Sequence, residues 1–421
     1  MLNTNYKMKV LWFSNSPAAA YEDKLKGTGG WMVALDKAIQ KNVELHVAYL
    51  YPYKQMPFKN GETTYYPIYS GNIIAENIKK RFLRIKRRDF TNDFLKVIEM
   101  VKPDIIHIHG TENTFHTILG KVNIPVVISI QGNPSVIAYK YRSGFFGMFE
   151  KEKVGKITLK SMIFGRNSFY DGHNNLSRMA ELEQKTLLNA KYIIGRTDWD
   201  KRITRVLAPD SKYYVGNEML RNSFYKLCWD QNQPTNKIVI HTTNGNNYYK
   251  GFEVLCYSLS LLNNIGYNIE WRVAGVSEDS KIVNITKRFL GKNYPKKGLK
   301  LLGPLDEEKL SQSLLSSHLY VMPSHIENSP NNLCEAMILG MPCIASLAGG
   351  TGSILKDKEE GIIVQDGDPW VLAGAIIEMV RDWARAKNYS LKAREKALLR
   401  HNPQTIVNNL VNTYTEIINE N

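Results

Sequence analysis

VMPSHIENSPNNLCEAMILGMPCIASLAGGTG, residues Val321 to Gly352, is the stretch whose reading decides the fold. It opens as a short apolar strand, carries two carboxylates, Glu327 and Glu335, eight positions apart, and closes in a Gly-Gly-Thr loop. A helix is expected from Asn332 to Leu339, with Asn332 capping its first turn, Glu335 completing a capping box, and Gly340 with Pro342 ending it. The amino end of such a helix leaves a strand-loop-helix turn, where unpaired N–H groups and the helix dipole favour an anion. Taken alone, a capping Glu335 and a loop Glu327 are the plainer account of two acids.

The whole string says more. PSxxExxxNNLxEAMxxGMPxIAxxxGG resembles the E-x7-E signature of the retaining glycosyltransferases of family four. That resemblance implies an α/β fold of the GT-B kind, two Rossmann-like domains facing across a cleft, with a C-terminal helix returning to the first domain. It also implies that Glu327 contacts the donor sugar and Glu335 the nucleotide ribose, beside Asn331, Asn332, Leu333 and Gly350. The stretches GRTDWD (Gly195 to Asp200) and GNEMLRNSFY (Gly216 to Tyr225) resemble a bacterial subset that builds surface polysaccharides.

Working outward, 421 residues are long for one core, and two domains are expected, 1–215 and 216–402, with the resemblance implying that a terminal helix, 403–421, packs back on the first. The charge is divided unevenly. Residues 1–215 carry 33 Lys+Arg against 19 Asp+Glu, whereas the remainder carries 22 against 21, so the basic half is expected to face an anionic partner. Within it, Lys79, Lys80, Arg81, Arg84, Arg87 and Arg88 alternate with Ile78, Phe82, Leu83, Ile85 and Phe90. That composition suits an interfacial helix on anionic lipid and equally a solvated basic face. A second cluster, Lys140 to Lys160 with Tyr139, Tyr141, Phe145, Phe146 and Phe149, tips the reading toward membrane contact.

The first domain opens with a strand over Lys9 to Ser14, then Gly27-Thr28-Gly29-Gly30 leading into a helix over Trp31 to Gln40. Strand, glycine turn and helix form either an ordinary turn or an anion cradle; the resemblance places Gly29 and Gly30 beside the donor diphosphate. DIIHIHG (Asp104 to Gly110) is a strand whose His107 and His109 share one side. No carboxylate at a supporting spacing favours a metal pair there, and the resemblance makes His109 a site candidate. VVISIQG (Val126 to Gly132) departs from the family pattern, with Gln131 where many relatives have a histidine; Gln cannot titrate but can hydrogen-bond a sugar hydroxyl. Asp198 or Asp200 is expected to cap the next helix.

In the second domain, Lys250-Gly251 resembles the family's diphosphate-binding lysine. The arginine that many relatives place ahead of it is missing, leaving Asn244 in that region. No metal or other cofactor is expected. The four cysteines show no C-x-x-C spacing and read as free thiols in a reducing compartment. No apolar run reaches the roughly 18 residues of a spanning helix, and the start has too short an apolar run for a signal peptide.

The resulting expectation is a retaining, metal-independent transfer from a nucleotide-diphosphate sugar to a saccharide, lipid-linked for choice, in capsule, exopolysaccharide or O-antigen synthesis. The enzyme would be a monomer or weak dimer, cytoplasmic and peripheral at the inner face of the membrane. A sugar-nucleotide epimerase of the same fold is the alternative. A nucleic-acid-binding protein is disfavoured, because the charge sits in one domain beside aromatics without an RNP-like string.

Overall fold

The computed structural model describes residues 7–21, 30–71, 88–141, 143–145 and 169–421. Lys79, Lys80, Arg81, Arg84, Arg87 and Gly29 lie outside them, as does most of the second basic cluster.

Residues 7–215 build an eight-stranded sheet of order β3-β4-β2-β1-β5-β6-β7-β8. Its strands are β1 (Lys9–Ser14), β2 (Glu44–Tyr51), β3 (Phe58–Asn60), β4 (Thr63–Tyr69), β5 (Ile105–His109), β6 (Val126–Ser129), β7 (Tyr192–Gly195) and β8 (Lys212–Val215). Every pairing is parallel except β3 with β4. Parallel strands joined by crossovers must be covered on both faces, and period-two alternation does this here. Val10 and Trp12 of β1 enter one core with α1 (Gly30–Ile39) and the terminal helix, while Leu11 and Phe13 enter another with α2 (Thr91–Val101). The register pairs Ser14 with His109 and His109 with Ser129, so the carboxyl ends of β1, β5 and β6 lie level. The loops that follow them carry Asn15, Glu112 and Gln131. Helices α3 (Pro134–Lys140), α4 (Phe169–Leu187) and α5 (Asp198–Leu207) complete this half.

The second sheet has six parallel strands in the order β11-β10-β9-β12-β13-β14. These are β9 (Ile238–Thr243), β10 (Ile269–Ala274), β11 (Leu299–Gly303), β12 (Leu319–Met322), β13 (Cys343–Ser346) and β14 (Ile362–Val364). Around them lie α6 (Phe252–Asn264), α7 (Lys281–Leu290), α8 (Glu307–Leu315), α9 (Asn331–Leu339), the single turn α10 (Thr351–Ile354), α11 (Pro369–Arg381) and α12 (Trp383–Arg400). Then α13 (Pro403–Asn419) crosses back. Its Tyr414 is fully buried on the first sheet, where its hydroxyl accepts from Trp12 Nε1 at 3.0 Å and lies 2.5 Å from His107 Nδ1. Two Rossmann-like sheets with a returning C-terminal helix make this the GT-B architecture.

Two expected caps are replaced. Thr197, not Asp198 or Asp200, is the N-cap of α5: its hydroxyl accepts Asp200 N–H at 3.1 Å, and the Asp200 carboxylate accepts the Thr197 N–H in return. At α9 the N-cap is Pro330, which has neither a capping side chain nor an N–H, so no capping box forms, and Glu335, beyond the third position, pairs with an arginine instead. Strands β3, β4, β8 and β13 were not expected from the sequence.

Candidate functional site: the cleft between the two sheets

Lys250 is held in place by backbone chemistry. It ends a one-turn 3-10 helix, and Gly251 follows at φ +69, where a Cβ would lie 1.8 Å from the Pro323 carbonyl oxygen. Only glycine allows that approach, and it brings the Lys250 turn against the loop carrying Glu327. Asn244 fixes the same turn from the other side, donating from Nδ2 to the Lys250 carbonyl at 3.2 Å. The Lys250 ammonium then meets Glu327 Oε1 at 2.7 Å, and Ser324 donates to the same oxygen at 2.8 Å. Burial alone would lower the lysine's pKa, but the Glu327 carboxylate outweighs it and holds the ammonium above its ordinary range.

The Glu327 loop is anchored on both sides. Gly349 sits at φ +57 with its Cβ position 2.1 Å from the Glu327 carbonyl oxygen, and Gly350 donates its N–H to that oxygen at 2.9 Å. Gly350 therefore backs the loop and is not among the residues lining the large cavity described below. His325, two residues before Glu327, is buried between Asp366 (2.6 Å to Nδ1) and Glu253 (2.5 Å to Nε2). Burial would depress its pKa, yet the two carboxylates raise it to about 9. Asn328 crosses the cleft: its amide accepts from Thr197 Oγ1 at 2.9 Å and donates to the carbonyls of Gln131 (3.1 Å) and Ile130 (3.4 Å). It is thus the backbone of Gln131 that makes this interdomain contact.

Glu335, on α9, is buried and met by the fork of Arg221, Nε to Oε1 at 2.7 Å and Nη2 to Oε2 at 2.5 Å. Burial pushes this carboxyl above the ordinary range while the guanidinium opposes the shift. The pair lines a cavity of about 740 Å³ between the domains, bordered by Gly30 and Trp31 of α1 and by Asn244, Gly275, Asn331 and Asn332. That volume falls within the range of small-molecule sites. Asn332 donates to the Thr243 carbonyl at 2.8 Å, and the buried Asn331 Oδ1 has no hydrogen-bond partner. Leu333 is buried beneath, its N–H taken by the Pro330 carbonyl and the Asn332 side chain.

His109 is not among the residues lining this cavity. Its ring is fully buried, stacked 3.8 Å from His107 and set edge-on to Trp12 and Trp31. It borders a separate void of about 80 Å³ with Arg196 and Arg400, where both its nitrogens lack partners. His107 has both nitrogens engaged, by Tyr414 and by Ser129 at 2.6 Å, so a two-histidine metal pair is not offered. The titratable group at the cleft end of β5 is instead Glu112. It accepts from the Gly132 N–H (2.7 Å) and Asn15 Nδ2 (3.0 Å), and burial raises its pKa. Burial raises the pKa of Tyr249, and the charges of Lys250, Glu327 and Glu112 act on it in smaller measure.

Two acid-x-acid spacings that could suggest a divalent metal are otherwise engaged. Asp200 closes the α5 cap, while Asp366 pairs with His325 and Asp368 caps α11. Glu218, Cys334 and His401 also converge, with ligand-type atoms within 4.8 Å of one another. Arg196, 3.5 Å from Glu218, helps hold that carboxyl down to about 2 against burial, and burial keeps the Cys334 thiol protonated; the group reads as an interdomain polar joint. Of the basic surface, Arg88 is described: it pairs with Asp93 at 2.7 Å and lies over the Phe90 ring. Among the described residues no helix is long and apolar enough to cross a membrane.

Comparison with known proteins bears on the fold. Residues 226–396 match the family described as "Glycosyl transferases group 1". One relative, the N-acetyl-alpha-D-glucosaminyl L-malate synthase of Bacillus anthracis, is 25% identical over 114 residues, 27% of this chain and 30% of its own length. The chain's alignments span about a third of the first such relatives. Over nearly the whole chain the fold is that of sucrose-phosphate synthase from Thermosynechococcus elongatus, with TM-score 0.73 and 15% identity, covering 99% of this chain and 100% of that one. It is also that of Anabaena HepE in complex with UDP and glucose, with TM-score 0.65 and 14% identity, covering 97% and 99%. The fold is thus of the GT-B kind, and residues 226–396, within the second domain, match the group 1 glycosyltransferases.

Proposed function

We propose that the protein transfers a sugar from a nucleotide-diphosphate sugar to a saccharide acceptor, with retention at the anomeric carbon and without a metal ion. The observation that carries this reading is the interdomain cavity lined by the amino end of α9, Glu335 and Arg221, with the Lys250–Glu327 pair tied to its wall through Asn244. In a transfer of this kind the departing diphosphate needs positive potential while an oxocarbenium-like sugar forms. Lys250 and the dipole of α9 supply it, Glu327 binds sugar hydroxyls, and Glu335 binds the ribose. The uncharged Gln131 leaves no titrating group of its own at the end of β6. The excess of base over acid in residues 1–215 supports a lipid-linked acceptor at an anionic membrane surface, and so a place in surface-polysaccharide assembly.

A thermal-shift screen over nucleotide sugars tests the donor, since a ligand at 100 times its Kd stabilises by about 2.7 kcal/mol. Glu327→Ala should then abolish transfer while keeping a cooperative melt. Full activity in that variant removes the central assignment, and conversion of the donor alone into an epimer turns the reading to an epimerase. Flotation with anionic liposomes at low salt tests the lipid surface: no binding refutes it.

A further inference from the structure

We propose that Arg221 is a second phosphate-binding cation of the donor site, stored on Glu335 and handed to the nucleotide diphosphate when the ribose takes that carboxylate. The proposal rests on the donor reading above and adds to it a residue that neither the resemblance nor the sequence pattern singles out.

Three observations carry it. The first is charge balance. The lysine nearest the sugar-binding loop is already neutralised, with Lys250 2.7 Å from Glu327. The wall of the 740 Å³ cavity presents Asp306, Glu307 and Glu335 against Lys37 and Arg221, and the turn ahead of Lys250 offers the uncharged Asn244. A diphosphate brings further negative charge into this wall and needs a cation that can turn toward it. The second is position. Arg221 belongs to the segment linking the two sheets, and its stem runs against the first residue of α1: a Cβ on Gly30 would lie 2.8 Å from its Cγ. The guanidinium stacks over the Phe224 ring at 4.7 Å, which supports its plane and leaves its N–H edge free to exchange partners. The third is what the fork now holds. Both oxygens of Glu335 are taken, at 2.7 and 2.5 Å, so a diol entering the same carboxylate competes with the arginine and loosens it. The displaced fork matches a phosphate as well as it matches a carboxylate, so the arginine keeps an anionic partner while the Glu335 carboxylate accepts from the ribose hydroxyls.

The test is calorimetric titration of the full chain with UDP, UMP and uridine, with the ADP and GDP series run in parallel, on wild type and Arg221→Gln. In the variant, the best-binding nucleoside diphosphate should weaken by about tenfold or more, while its nucleoside binds unchanged or tighter because Glu335 has been released. Equal weakening of diphosphate and nucleoside would show that Arg221 only supports the fold or aims Glu335. Tightening of both would make it a plug alone. Either result overturns the proposal. Should Arg221→Gln fail to fold, Arg221→Lys keeps the charge without the fork, and the same selective loss, smaller in size, is expected; an unchanged diphosphate-to-nucleoside ratio overturns it. If wild type binds none of the three diphosphates, it is the donor reading that fails.

Discussion

The two faces of the cleft treat their carboxylates differently. On the second-domain face, Glu327 meets Lys250 and Glu335 meets Arg221, so each buried acid has a cation within 2.7 Å. On the first-domain face, Glu112 is held by Asn15 and a backbone N–H, and Glu183 by Thr111 and by Ser135 at 2.6 Å, with no cation hydrogen-bonded to either among the described residues. Burial raises the pKa of both first-domain acids, and for Glu183 the nearby charge of Glu112 adds to the rise. One face is therefore set with balanced ions that an anionic ligand can rearrange. The other carries acids whose pKa burial raises and whose partners are neutral donors.

The sharpest way to break this contrast is to remove one ion. Lys250→Met leaves Glu327 buried without its partner, and transfer should fall by about 100-fold or more, measured as kcat/KM with the preferred donor. Retention of more than a tenth of wild-type activity would mean that the pair is only structural.

A pH series examines the paired face through His325. Folded, this imidazole titrates near pH 9; its ordinary value is 6.5. The stability it contributes is therefore complete below about pH 6.5 and lost as pH rises through 9, by up to ~3 kcal/mol. Urea unfolding of wild type should follow that slope, whereas His325→Gln should be nearly flat across the same window.

Thr197→Val weakens the tie between the faces, removing the α5 cap and one of the hydrogen bonds of Asn328 together. A loss of about 1–2 kcal/mol is expected by chemical denaturation, with donor affinity falling less than stability. On the neutral face, Glu112→Gln keeps the shape and removes an ionisation that burial disfavours. Its unfolding free energy at pH 7 should stay within about 1 kcal/mol of wild type or rise, in contrast to Glu335→Gln, which strands Arg221 and should cost more. Equal destabilisation by the two variants would erase the difference between the faces.

Much of the second domain can be read along the chain because its signals are local. The Glu327 and Glu335 spacing, Gly340 after a helix and the apolar strand Leu319–Met322 all lie within one window. The cap at Thr197 is legible too, as a Thr-x-x-Asp, beside the more polar aspartates. Arg221 could not be found this way: its partner is 114 residues on, in an unrelated element, and no periodicity links them. Glu112 had a usable signal, a carboxylate just past the carboxyl end of a parallel strand, which the adjacent histidines obscured. His109 misled for the complementary reason. Alternation puts it on the same side as His107, but only the third dimension shows that this side is roofed by α13 and not by the cleft.

Asn328 carries a consequence for the timing of turnover. Its amide spans from Thr197 to the carbonyls of Ile130 and Gln131, one residue from Glu327. Any hinge motion that widens the cavity has to break these bonds and tug on Glu327 in the same movement. Release of a spent nucleotide and disengagement of Glu327 would then share one clock, and weakening the Asn328 bridge would speed the opening of the cleft while blurring the moment at which it counts as closed.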